Sequence, residues 1–350
     1  MPAAGLAAGP TAVKSGRTWL GIALSALLLW WTMRGTDIAQ VWQELKASNI
    51  PLFILCALVA TCIFPLRARR WRPILEPVAG SIAFGPLWRS TAIGMMMNNV
   101  LPLRAGEFGR AFALTREVPR VTLPTALSSL GVDRIFDALV LFGLMFGAML
   151  DPAFPSGASI AGQSVAQLAR GGMAALLLLL VFCYIVVLQP GRMLALVRAV
   201  SRAVLPRFEE PLARFFMHAV GGLGVLRDTR RFLSVLFWAI AHWLVHALGL
   251  YLGFLAVGLD APFSAALFLQ GVLGIGVALP SSPGFVGVFE AAAVAGLAVY
   301  GVSRDLAFSW AVGYHVLSFI PITVIGILYF VRLGLSVAGV RGAQKAEGIS

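Results

Sequence analysis

Ala278-Leu-Pro-Ser-Ser-Pro-Gly-Phe-Val-Gly-Val-Phe-Glu290 interrupts an apolar run that extends from Phe263 to Val302. Pro280, Pro283, Gly284 and Gly287 do not fit inside one continuous helix. In hydrocarbon, backbone groups released from a helix need partners, so such a break must be buried in protein or line a wet cavity. Glu290 lies one turn into the next apolar segment, where a carboxylate needs a partner or a task. The stretch reads as two membrane helices joined by a functional turn; an ordinary short loop between two spans is the plainer alternative.

A second stretch echoes the first. Leu101-Pro-Leu-Arg-Ala-Gly-Glu107 shares the Leu-Pro-x-x-x-Gly frame, ends the apolar run Phe84–Val100, and is also followed by an acid. Paired breaks in corresponding halves are the pattern of transporters built from inverted repeats, with a site where the breaks meet. That reading predicts convergence of Arg104–Glu107 with Pro280–Glu290, and Gly106 and Gly284 on opposite walls of one cavity.

Composition sets the class. The chain has 350 residues, is 59% hydrophobic and 12% charged, with mean hydropathy +0.88. Soluble domains carry about 25% charge, so this is an all-α polytopic integral membrane protein. Its net charge of +12 reflects arginine-rich cytoplasmic segments, not a nucleic-acid surface. Cys56, Cys62 and Cys183 lie in apolar runs without metal-knuckle spacing and read as small buried hydrophobes. His242 and His246 share a helix face, but no third ligand accompanies them, so neither metal nor cofactor is expected.

The chain in order predicts six full spans, at 18–33, 51–66, 125–150, 171–188, 232–257 and 306–331. Segments 84–101 and 263–302 read as broken, re-entrant elements entering from opposite faces; the alternative is that they span. A loose cytoplasmic tail (1–16) and a C-terminal cytoplasmic tail (336–350) flank a single membrane domain (17–335). Residues 37–49, and the basic stretch 192–231, have apolar positions at helical intervals and read as helices lying on the membrane surface. Arg67, Arg69, Arg70 and Arg72 read as a cytoplasmic cluster after the second span, which places the N-terminus inside, and Arg332, Arg341 and Lys345 place the C-terminus inside. Only Arg34, Lys46, Arg170 and Arg304 fall outside on this plan, with Arg89 and Arg134 inside membrane elements.

Polar residues in these apolar segments form the candidate site: Asn99, Arg104, Glu107, Arg110, Asp133, Arg134, Asp137, Ser281, Ser282, Gly284 and Glu290. Arginine suits bidentate phosphate recognition, and acids beside it hold it in place; for Asp133, Arg134 and Asp137 a structural ion-pair network near the cytoplasmic end is the plainer alternative. No Ser-His-Asp set and no phosphate-cradling glycine loop is present, so no catalytic residue is assigned, and binding or translocation is favoured over hydrolysis.

Three motifs carry a resemblance: Asn99-Val-Leu-Pro-Leu-Arg104-Ala-Gly-Glu107-Phe-Gly-Arg110, then Asp133-Arg-Ile-Phe-Asp137, then Pro280-Ser-Ser-Pro-Gly-Phe-Val-Gly-Val-Phe-Glu290. With these, the chain over roughly residues 15–335 resembles the flippase-like membrane proteins related to the transmembrane domain of lysylphosphatidylglycerol synthase. The third motif often reads Pro-Gly-Gly in that family, where this chain has Phe285. The resemblance implies a lipid transporter or flippase of the bacterial inner membrane. Its partner would be a phosphate-bearing, hopanoid or polyprenyl-type lipid, with a lipid-synthesising enzyme or a second copy as further partners. An intramembrane lipid-modifying enzyme using Glu107 or Glu290 as base, and a scaffold for such enzymes, remain the alternatives.

Overall fold

The computed structural model describes residues 16–34, 36–101, 105–155, 157, 159–160, 163–279 and 282–346. Arg104 and Ser281 of the candidate set, Pro280 of the opening motif, and most of the tail 1–16 lie outside the described residues.

The chain folds as helices, with one two-residue antiparallel pairing at 159–164. The central pair is α3 (Ile50–Ala79) and α10 (Thr229–Ala256). They run antiparallel: Asn49 N–H donates to the Ala256 carbonyl at 2.7 Å at one end, and Arg231 meets Glu76 at the other. Asn49 caps α3 by accepting from Leu52 N–H, and Pro51 sits in the first turn, where no intrahelical donor is needed. Pro65, Pro73 and Pro77 lie inside the helix, tolerable where neighbouring helices supply packing.

α3 departs from the expected span. The sequence places its end near Leu66, with an arginine cluster beyond it. The helix instead continues to Ala79, so all four arginines are helical; Arg67 and Arg70 are buried. The physical reason is pairing: both find carboxylates across the helix interface, as described below.

The remaining long elements follow the apolar pattern to within a few residues: α1 (Gly16–Met33), α6 (Leu123–Ala148), α7 (Val165–Leu188) and α13 (Arg304–Arg332). Among the described residues, four helices are long and apolar enough to cross a membrane by length and composition; they lie in α3, α7, α10 and α13. α6 has the length, about 39 Å at 1.5 Å per residue, but carries Asp133, Arg134 and Asp137.

The broken elements are two helical hairpins. α4 (Phe84–Val100) and α5 (Gly106–Glu117) lie antiparallel: Arg89 pairs with Glu117 near the open end, while Gly94 and Met97 pack on Gly106, Gly109 and Arg110 near the tip. α11 (Phe263–Ala278) and α12 (Val288–Ala298) do the same, with Phe268 against Tyr300 at the open end and Gly276 against Ala292 near the tip. Each arm spans only about 17–26 Å, so each hairpin returns the chain to the side from which it entered.

The two hairpins enter from opposite sides. The first opens beside the C-terminal end of α3, where Arg120 donates to the Ser81 carbonyl. The second opens at the other end, beside α2 (Ile38–Ala47) and the start of α13, where Asp37 N–H donates to Asp305. The order helix, helix, hairpin, helix therefore occurs twice with direction reversed: α1, α3, α4–α5, α6, and then α7, α10, α11–α12, α13. The tips meet: Asn99, at the end of α4, presents its carbonyl to Gly284 in the second break.

The basic stretch forms two amphipathic helices, α8 (Pro190–Val204) and α9 (Glu209–Leu223), as expected. α9 is tied to the core by Val220 and Leu223, which pack with Val225, Val235 and Leu130. Within 336–350, α14 (Val337–Ala346) docks on the first hairpin through Val340, against Phe108 and Phe112. Cys56 and Cys183 are buried, but Cys62 is exposed, because its face of α3 points away from the protein.

Candidate functional site

The largest polar feature is a buried ion network between α3, α5 and α6. Positions three and four apart share a helix face, so Arg67, Arg70 and Trp71 of α3 face inward together. On α6 the same spacing aligns Asp133 with Asp137. Arg70 is wholly buried; its Nε donates to Asp133 Oδ1 at 2.7 Å and its Nη1 to Asp137 Oδ1 at 2.5 Å. Arg67 lies 3.6 Å from Asp137 Oδ2 and 3.4 Å from Glu107 Oε1.

α5 brings two more members. Its N-terminus is held where Gly106 N–H donates to the Asn98 side chain at 2.9 Å. One turn on, Arg110 Nη1 reaches Asp133 Oδ2 at 3.3 Å while its guanidinium lies 4.1 Å over the Trp71 ring. Trp71 is fixed in turn by donating to Ser129 Oγ at 2.9 Å. Arg134 completes the set, 2.9 Å from both Glu107 Oε1 and Asp137 Oδ2.

Among the described residues this network joins four arginines to three carboxylates. At neutral pH one positive charge is left over. Four arginine nitrogens, Arg67 Nε, Arg70 Nη2, and Arg110 Nε and Nη2, are buried without a hydrogen-bond partner among the described residues, against two carboxylate oxygens, Glu107 Oε2 and Asp137 Oδ2. Arg134, at 43% exposure, and Glu107, at 32%, form its open side. Burying unsatisfied polar groups costs free energy, and here the unpartnered donors outnumber the unpartnered acceptors.

The second polar centre is the break itself. Gly284 and Gly287 have φ of +68° and +86°, and Phe285 is the one non-glycine residue at positive φ, +62°, among the described residues. Glu290 caps α12 by accepting from Gly287 N–H at 2.6 Å through Oε2. Its Oε1 lies 2.6 Å from His315 Nδ1 on α13, and His315 Nε2 lies 2.8 Å from the Gly284 carbonyl. A carbonyl only accepts, so Nε2 carries a proton. The Nδ1–Glu290 contact then holds one proton between imidazole and carboxylate. Ser282 N–H donates to Ser25 on α1, and Asn99 Nδ2 donates to Thr323 on α13, each at 2.8 Å.

Beside this centre is a cleft of about 330 Å3. Glu290 and His315 line it together with Leu29, Val312, Val316 and Phe319. Val316 is half-exposed, so the cleft opens on the apolar outer surface.

Gly106 is a helix–helix contact, where a Cβ would fall 1.9 Å from the Gly94 carbonyl; Gly284 is packed against Phe319 and Asn99. The described candidate residues group into the ion network (Glu107, Arg110, Asp133, Arg134 and Asp137) and the break centre (Asn99, Ser282, Gly284 and Glu290). Sequence reasoning missed Arg67, Arg70 and His315. Positions 67 and 70 share the three-residue spacing that marks a helix face, but the cluster's orienting role concealed it. For His315 the signal is only that of an ionisable residue within an apolar span; nothing local names its partner.

A family model described as the lysylphosphatidylglycerol synthase TM region matches residues 18–326. The chain belongs to this family. Within the family's span lie both hairpins, the ion network and the break centre. The chain is similar to a UPF0104 membrane protein of Methanothermobacter thermautotrophicus, 24% identical over 324 residues, covering 88% of this chain and 91% of that one. It is also similar to the glycosyltransferase AglD of Haloferax volcanii, 28% identical over 304 residues, covering 78% of this chain but 47% of AglD.

Proposed function

We propose that this protein moves a lipid between the leaflets of the bacterial inner membrane. The observation that carries the reading is the surplus of buried arginine donors beside two opposed hairpins whose tips meet at Asn99 and Gly284. A phosphate headgroup offers oxygens to those donors and the charge that balances the network. The apolar cleft beside Glu290 suits a tail that stays in the bilayer. Opposed hairpins meeting tip to tip give each leaflet its own route to the centre, and rocking of one half against the other changes which route is open.

In this reading Arg134 and Glu107 form the entrance, Arg110 and Arg67 bind the headgroup, and Asp133 and Asp137 hold the arginines in place. The substrate is a phosphate-bearing lipid of phospholipid, hopanoid or polyprenyl type. The name of the relative AglD favours a second reading, in which this membrane region serves a glycosyl-transferring enzyme.

Reconstitution separates the two. Purified protein in liposomes should accelerate transbilayer exchange of a fluorescent anionic or isoprenoid-phosphate lipid, and Arg134→Ala should slow it. Absence of protein-dependent exchange with every such lipid refutes transport. A change in lipid mass on incubation with lipid extracts favours the enzymatic reading.

A further inference from the structure

The same arginine cluster that feeds the ion network also faces the other way. Arg67 and Arg70 point inward, whereas Arg69 and Arg72, on the opposite face of α3, line a separate cleft of about 390 Å3 against the start of α10. Arg230 and Arg231 complete its basic lining, with Glu76 and Asp228 between them. Four arginines face two carboxylates.

The two acids are already engaged in holding the cleft's walls. Asp228 accepts from the backbone N–H groups of Arg230 and Arg231, at 3.0 and 3.2 Å, and so caps α10. Glu76 lies 3.4 Å from Arg72 and 3.8 Å from Arg231, which ties α3 to α10. Arg72 is further fixed by Ser81 Oγ at 3.0 Å. Arg69 and Arg230 have no carboxylate within ion-pair distance among the described residues; Arg69 is placed by the Phe84 ring, 4.5 Å from its guanidinium. Two planar, permanently charged forks thus remain for a ligand, in a hollow whose rim carries the indole of Trp238. Indole favours the membrane–water boundary, where phosphate groups of lipids lie.

We infer that this cleft is a second anion site, which binds a phosphate group through Arg69 and Arg230. It is separate from the transport path and does not depend on the transport reading, because its arginines point away from the ion network. The phosphate comes either from an anionic lipid headgroup or from a soluble phosphate compound.

The test uses the full chain in nanodiscs. One arm counts phosphatidylglycerol retained by the protein in native mass spectrometry, using discs that contain it in phosphatidylcholine. The other measures equilibrium binding of radiolabelled inorganic pyrophosphate to protein in discs of phosphatidylcholine alone. The central arginines are unchanged in every variant, so differences between variants report the cleft. Arg69→Gln/Arg230→Gln should lower retention about tenfold or more, since each replaced arginine loses a charge-assisted contact. Arg202→Gln, outside the cleft on the same side, should change nothing. Arg69→Lys/Arg230→Lys keeps the charge and the fold, and should bind at an intermediate level. The arm that responds identifies the source of the phosphate. The inference is overturned if wild type retains neither probe, if the lysine variant binds as wild type does, or if Arg202→Gln weakens binding as much as the cleft variants.

Discussion

Replacing Arg70 by Met tests whether the ion network is held together by the pairing described. Arg70 makes two short charge-assisted hydrogen bonds, to Asp133 at 2.7 Å and Asp137 at 2.5 Å, without solvent contact. Breaking a buried pair by removing one partner costs about 3–5 kcal/mol, because the remaining charge stays buried. Here Arg110, Arg67 and Arg134 still face the two carboxylates, at 3.3, 3.6 and 2.9 Å. The expected loss is therefore near the lower bound, about 3 kcal/mol. It should appear as a drop of several degrees in the apparent unfolding midpoint, followed by circular dichroism in detergent at a fixed scan rate. Arg70→Met/Asp133→Asn removes the buried carboxylate charge that lost its closest donor, and should recover about half of that loss, whereas Asp133→Asn alone should also destabilise. Arg70→Met melting with wild type, or a double variant that loses the sum of the two single changes, would refute the pairing argument.

Arg134→Ala leaves a half-exposed position, so its thermal midpoint should move by less than about 1 kcal/mol equivalent while lipid exchange in liposomes falls. Gly284→Ala meets both a positive φ and a Cβ 2.8 Å from Phe319; a loss of about 1–2 kcal/mol and slower exchange are expected, read by melting and by transport together. His315→Ala strips Glu290 Oε1 and the Gly284 carbonyl of their shared partner and should cost about 2–3 kcal/mol, with His315→Gln costing less; equal stability of His315→Ala and wild type would dismiss that hydrogen-bonded bridge. Phe285→Gly relieves a left-handed backbone worth about 1–2 kcal/mol but loses the ring's packing, so the midpoint should change little; a large stabilisation would mean the ring contributes nothing.

Much of this fold was legible because hydrocarbon imposes simple rules. Long apolar runs became helices, and each Pro/Gly break separates the two arms of a hairpin, α4 from α5 and α11 from α12. Charge bias placed the two hairpins on opposite faces. Phe285 was visible as the odd residue in its motif, and its positive φ accounts for the glycine usual there. The misses share a cause. For Arg67 and Arg70, an arginine run after an apolar segment reads as an orienting cluster, which masks the helical phase that turns two of its members inward. His315 lies on an unbroken apolar helix, and its partner is set by tertiary packing that no local pattern reports. Gly106 also serves as a helix contact, which only its neighbours, Gly94 and Asn98, make visible.

The pairing of α3 with α6 has a consequence for how the chain enters the bilayer. On its own, α6 carries three charges, each costing about 2.5–3.5 kcal/mol at the centre of an inserting helix. Its apolar residues alone face a heavy toll. Arg70 is synthesised 63 residues ahead of Asp133, so the compensating cation is already in place when α6 emerges. The two helices then have reason to leave the insertion machinery as a unit, with the first hairpin folding into the groove between them. On this account Arg70 acts during biogenesis as a waiting counter-ion, and its loss would lower the amount of inserted protein before it altered any later event.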